Sequence, residues 1–266
     1  MKKSNIIASI LITGFIVLNV FLTIYAMNGV MEYVSKAIEN QNEVTKTLIN
    51  KQEIKPSYDE LKSHNVYILG CAGKELKDDN VNFRLENEEG FCWSGTGSVI
   101  KITDTETFIL TNNHVAGKDE EEVKLYVKDS KKKISAEVVK YNEIVDASVI
   151  KIKGKLEGKT AITSISSIDI QDKVYVVGNP LGVPDIYAEG IMAGYEEDSM
   201  LLQLPCIFGN SGSAIYNQKG ELVGLVYALE TYPGFLGLPM ARITHTLAVD
   251  NRDIKRFLKS LDLYNE

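Results

Sequence analysis

Cysteine, histidine and basic residues are all scarce in this chain, and each scarcity closes off a class of function. Three cysteines among 266 residues are too few for the cross-linked scaffold of a small secreted domain. Cys71 and Cys92 flank a strand-like segment and could pair; Cys206 has no evident partner. No Cys-x-x-Cys pair or Cys/His cluster has zinc spacing, and the only histidines are His64, His114 and His245. No metal is expected, and no cofactor. Basic residues number 29 against 36 acids, a net charge of −7. No basic face is then available to neutralise phosphates, which argues against a nucleic-acid partner. The one basic run, SKKKIS at 130–135, lies near KDEEE at 118–122, and both read as solvated loops.

Charge is also missing from the start of the chain. After MKKSN, residues 6–27 carry none, and at about 1.5 Å per residue they match the roughly 30 Å hydrocarbon layer. The stretch ends TIYAMNG, without the A-x-A pattern of a cleavage site, so an uncleaved signal anchor over 1–28 is expected. Lys2 and Lys3 keep the N-terminus cytoplasmic and send the remainder outside, a single-pass membrane protein with an extracytoplasmic body. From Val30 the pattern turns helical. Val30, Val34, Ala37, Gln41, Val44 and Leu48 alternate spacings of four and three before Pro56. This predicts a helical stem over 29–56, serving as a stalk or as a weak homo-oligomeric seam.

Long amphipathic helices are absent from the body. Short β-rich runs recur instead, among them NVYILGC, TFILTNNHV, EVKLYVK, ASVIKIK, KVYVVGN, SMLLQLP and ELVGLVYAL. They predict an antiparallel barrel or sandwich. NQKG at 217–220 reads as a hairpin turn. Only DNRDIKRFLKSL changes period: Ile254, Phe257, Leu258 and Leu261 share a helix face, with Asp250 or Asn251 as N-cap.

Within these strands three residues form a chemical set. His114 ends a strand in TFILTNNHVAG, Asp146 precedes one in NEIVDASVIKI, and Ser211 sits in FGNSGSAIYN at 208–217. A serine hydroxyl needs a base within reach, imidazole is poised for that work near neutral pH, and a carboxylate holds the ring's tautomer. The order His, Asp, Ser is one of the known triad orders, and an α/β-hydrolase would place serine first. Gly209 and Gly212 permit a tight turn that aims the N–H groups of the 209–211 run, Gly209, Asn210 and Ser211, at a developing oxyanion.

GTGSVI (95–100), LTNNHV (110–115), DASVIKI (146–152), VGNPLG (177–182), EGIMAG (189–194) and GNSGSAIYNQKGELVGL (209–225) follow in order. In these six motifs, over about residues 90–250, the chain resembles the trypsin-like serine peptidases of the HtrA/Deg branch. The resemblance implies an all-β, chymotrypsin-like fold of two six-stranded antiparallel β-barrels. His114 and Asp146 would lie in the first (57–156), Ser211 in the second (157–249), and a C-terminal helix (250–266) would close the chain. It implies a serine endopeptidase acting on proteins or unfolded polypeptides through an acyl-enzyme, the alternative being a silent protease fold used as a binding or chaperone module. Ser213 stands where the family has a second glycine, QLPCIF replaces the usual polar run, and no PDZ domain is expected after the terminal helix. By the same resemblance Pro205 would floor the specificity pocket, Leu229 would fill its wall, and Tyr227 and Ala228 would pair with substrate backbone. With no carboxylate in Pro205, Cys206, Ile207 and Phe208, cleavage after small or medium apolar residues is expected.

Overall fold

The computed structural model describes residues 29–32, 35–36, 38–41, 55–73, 84–87, 90–117, 123–129, 132–232 and 242–264. The chain divides into two units, 1–53 and 54–266. In the first, residues 29–32, 35–36 and 38–41 are helical and exposed, and Lys36 pairs with Glu32 one turn away. The uncharged stretch 6–27 and Val34, Ala37, Val44 and Leu48 of the expected seam lie outside the described residues. Among the described residues no helix is long and apolar enough to cross a membrane.

The second unit opens on a helix the strand pattern did not announce, α1 (Tyr58–His64), capped by the Ser57 side chain, which accepts from the Glu60 N–H. About two turns carry a single apolar core residue, Leu61, too little to show a helical period. Seven strands follow: β1 (Asn65–Gly73), β2 (Arg84–Asn87), β3 (Gly90–Ile102), β4 (Glu106–Thr111), β5 (Lys124–Asp129), β6 (Lys132–Asn142) and β7 (Ala147–Lys153). The order β1-β5-β6-β7-β4-β3 closes through β3 back to β1, and β2 hangs on the end of β3. Residues 132–135 of the basic run thus open β6 rather than belonging to a loop. Strand β6, paired with β5 and β7 on its two sides, is mostly exposed, so its sequence shows little apolar alternation.

The second closed barrel has the order β10-β13-β12-β11-β8-β9. Its strands are β8 (Lys173–Gly178), β9 (Ile186–Glu196), β10 (Ser199–Gln203), β11 (Ala214–Tyr216), β12 (Leu222–Tyr232) and β13 (Arg242–Asp250). All the pairings in both barrels are antiparallel. Asn217 and Gly220 close the β11–β12 hairpin, the Gly220 N–H donating to the Asn217 carbonyl with φ at +76°.

Three apolar clusters follow from strand alternation. Ile68, Val99, Ile109, Val127 and Ile150 fill the first barrel, and Val174, Val176, Met192, Met200 and Leu202 fill the second. The opposite faces of the same strands, through Leu110, Val149, Tyr175, Val177 and Leu225, meet between the barrels. Strands β7 and β8 are buried on both faces for this reason. The last helix, α3 (Asn251–Lys259), adds Ile254, Phe257 and Leu258 to that shared cluster. Asp250 is its N-cap, accepting from the Arg252 N–H. Cys71 and Cys92 stand directly opposite in the β1–β3 register, with Cα atoms 4.1 Å apart, and form a disulfide.

Candidate active site

His114 lies on α2 (Asn113–Ala116), a single helical turn after β4 that ends on Gly117 in the left-handed region. Asp146 closes the turn between β6 and β7 at a φ of +48°, a conformation uncommon for any residue with a Cβ. Its carboxylate holds His114 at two points. Oδ1 accepts the His114 backbone N–H at 3.0 Å, and Oδ2 accepts from ring Nδ1 at 2.7 Å. Since a carboxylate only accepts, the proton sits on Nδ1 and Nε2 is left to take one. The side chain of His114 is 49% exposed and that of Asp146 only 25%, so the ring is the more open of the two and the acid the more covered. Asn112 braces the turn: its Nδ2 donates to the Asp146 carbonyl at 2.8 Å.

Ser211 and His114 line one cavity of about 570 Å³. The loop carrying Ser211 is fixed through its carbonyls. The Phe208 carbonyl accepts from the Leu181 N–H at 2.7 Å, and the Asn210 carbonyl from the Ser213 N–H at 2.9 Å. A trans peptide points its N–H opposite its C=O. The amides of Gly209 and Ser211 are therefore turned away from Leu181 and Ser213, and both residues line the cavity. Two such donors can stabilise an oxyanion. The Asn210 N–H cannot join them, because it donates to the Ile207 carbonyl at 3.1 Å. This corrects the expectation for Asn210. The turn requires Gly209, whose φ is +95° and whose Cβ would meet the Asn179 carbonyl at 2.6 Å.

Thr96 of β3 ties this loop to the first barrel. Its N–H donates to the Ser211 carbonyl at 2.8 Å and its hydroxyl to the Gly209 carbonyl at 2.8 Å. The fully buried Asn179 donates to the same hydroxyl oxygen through its N–H and Nδ2, and its Oδ1 accepts from Asn65. Thr96, Asn112 and Asn179 went unassigned in the sequence, although GTGS, LTNNHV and VGNPLG contain them. The available signal was a polar side chain inside a run otherwise small or apolar.

The expected pocket residues divide. Tyr227, Ala228 and Leu229 line the cavity, together with Val226, Ile207 and Phe208. Pro205 does not; it is exposed and outside the lining. Leu204 and Cys206 point into the second barrel's core, so alternation turns Pro205 outward and leaves Ile207 and Phe208 at the cavity's lip. No carboxylate lines the second-barrel side of the cavity among the described residues. The Ser213 hydroxyl is buried with no partner among the described residues, while its backbone pairs with Asn210 and Val226. No group of three or more metal-ligating side chains occurs among the described residues.

The profile described as "Trypsin-like peptidase domain" matches residues 89–225, more than half of the chain. The chain belongs to the trypsin-like peptidase family. It is 31% identical over 183 residues to "Serine protease HtrA-like" of Staphylococcus haemolyticus, covering 61% of this chain and 28% of that protein. The Staphylococcus aureus protein of the same name is 27% identical over 188 residues, covering 63% and 23%. This trypsin-like chain thus spans about a quarter of the length of the curated relatives it matches. Its fold is shared with the solved structure "HtrA-type protease AlgW with decapeptide", at a TM-score of 0.58 and 18% identity, over 78% of this chain and 68% of that one.

Cys206, five positions before Ser211, is free and buried, and burial pushes its thiol up to about 12. Its folded pKa lies above the unfolded value, so the thiolate is scarce at any pH below about 12. Iodoacetamide at pH 8 should leave the native protein unmodified, and after unfolding without reductant it should label one thiol. Rapid native labelling at Cys206 would contradict this placement.

Proposed function

We propose that this chain is a serine endopeptidase in which Ser211 is the nucleophile, His114 the general base and Asp146 the orienting acid. The observation that carries the reading is the two-point hold of Asp146 on His114, with that ring and Ser211 on one cavity. Ser211 Oγ attacks the scissile carbonyl as Nε2 takes its proton, and the oxyanion forms against the Gly209 and Ser211 amides. Collapse passes the proton from Nε2 to the leaving nitrogen and leaves an acyl-Ser211 ester. Water, deprotonated by the same Nε2, then releases the acid. Substrates are proteins or unfolded polypeptides, entering as an extended strand along Tyr227 and Ala228.

Ser211→Ala should abolish labelling by a fluorophosphonate and lower turnover by about six orders of magnitude. Asp146→Asn should cost about four through the wrong histidine tautomer. Wild-type turnover in Asp146→Asn would exclude this acid, and a wild-type protein that never labels would be a silent fold serving as a binding module.

The acyl-side pocket is proposed to accept small or medium apolar residues such as Val, Ala or Ile. Support comes from the lining by Val226 and Leu229, without a carboxylate to pair an incoming cation. In a peptide library, cleavage should follow these residues, and Leu229→Gly should shift the preference toward Leu, Met or Phe by about tenfold or more. A profile dominated by Arg or Lys would overturn the pocket assignment and leave the triad standing.

Membrane anchoring rests on the uncharged stretch 6–27 behind Lys2 and Lys3, which supports a single-pass protein with its peptidase unit outside the cytoplasm. Ser35→Cys should react with a membrane-impermeant maleimide in intact cells. Reaction only after lysis would reverse the orientation.

A further inference from the structure

The cavity has a second wall that the acyl-side reading does not use. Phe91 and Trp93 share one face of β3, with Cys92 turned the other way into its disulfide. Both aromatic rings line the cavity beside His114 and Val115, and their centroids are 5.3 Å apart. Trp93, the chain's single tryptophan, is fixed in place. Its Nε1–H donates to the Val115 carbonyl at 3.0 Å. Its ring lies on two glycines, since a Cβ at Gly70 or at Gly117 would fall 2.4 Å from the indole. An indole built into that cradle, yet partly exposed, presents a rigid apolar surface to whatever enters the cavity.

Which part of a substrate reaches it follows from the chemistry, and so rests on the peptidase reading above. The acyl segment lies on the second-barrel side, along Tyr227 to Leu229 and beneath the Gly209 amide. His114 hands its proton to the leaving nitrogen, so the leaving segment starts at the imidazole and runs toward the first-barrel wall. We infer that Phe91 and Trp93 form a leaving-group subsite that selects a bulky apolar or aromatic side chain directly after the scissile bond. The two rings and Val115 offer apolar and aromatic contact. His114 is the only titratable side chain on that wall of the cavity among the described residues.

Acyl transfer reads this subsite directly. An ester substrate acylates Ser211, and the acyl group then partitions between water and an added amino-acid amide. In transfer, the amine nitrogen attacks the ester carbonyl and gives its proton to Nε2. Ser211 Oγ leaves, takes that proton back, and a new peptide bond remains. Phenylalaninamide should capture the acyl-enzyme about tenfold more efficiently than serinamide, and Phe91→Ala should reduce that ratio to about twofold or less. Burst titration of Ser211 counts the competent molecules in each preparation, so misfolding of a variant drops out of the ratio. Trp93→Phe, which keeps a ring, should retain part of the preference. Equal capture of the two amides by the wild type, or an unchanged ratio in Phe91→Ala, would overturn the subsite. Failure of any ester to acylate Ser211 would overturn the peptidase reading itself.

Discussion

The site depends on one clamp between the barrels. His114 and Asp146 belong to the first barrel and Ser211 to the second, so no single barrel can assemble the set. Thr96 crosses the gap with its N–H on the Ser211 carbonyl and its hydroxyl on the Gly209 carbonyl. The approach is so close that a Cβ at Gly212 would fall 2.0 Å from the Thr96 carbonyl. Gly212 also has a φ of +86°, so both space and backbone conformation require glycine there. Thr111 holds the clamp from behind, its hydroxyl donating to the Thr96 carbonyl at 2.7 Å. These partners are buried, and leaving any of them unpaired would cost about 1–3 kcal/mol.

A second buried group extends the clamp. Asn179 uses both ends of its amide, giving hydrogens to Val66 and Thr96 and accepting from Asn65 and the Asp185 N–H. Asp185 in turn pairs with Lys62 of α1, and that carboxylate raises the lysine's pKa. A polar path therefore runs from the surface at α1 to the Gly209 carbonyl. Fully paired networks of this kind rigidify a core where an incomplete one would weaken it. Here it fixes the Gly209–Asn210 peptide, which lies between the Gly209 and Ser211 amides.

Much of this was legible in the sequence. Short β-rich runs without helical periodicity pointed to an antiparallel barrel or sandwich, the family resemblance implied two barrels, and the ordered His114, Asp146 and Ser211 marked where a reaction could occur. What stayed hidden was whatever depends on which way a group points. Pro205 and Asn210 occupy the right stretch, but core burial of the neighbouring Leu204 and Cys206 leaves one in solvent, and a reverse turn uses the other's amide. Thr96, Asn112 and Asn179 look like ordinary polar residues until the fold brings them partners from distant parts of the chain. Phe91 and Trp93 read as β-formers, and only the folded structure sets them on the same cavity as Leu229. Helix α1 escaped because one buried leucine is too little pattern to distinguish it from a loop.

The most direct test of the account is the rate at which a fluorophosphonate modifies Ser211 in the wild type and in Thr96→Val. Valine keeps the shape of threonine and the backbone N–H on Ser211, but removes the hydroxyl that holds Gly209. Modification should map to Ser211 in the wild type and be at least about tenfold slower in the variant, with cooperative unfolding retained in both. Equal rates would show that the inter-barrel clamp does not set the reactivity of the nucleophile loop.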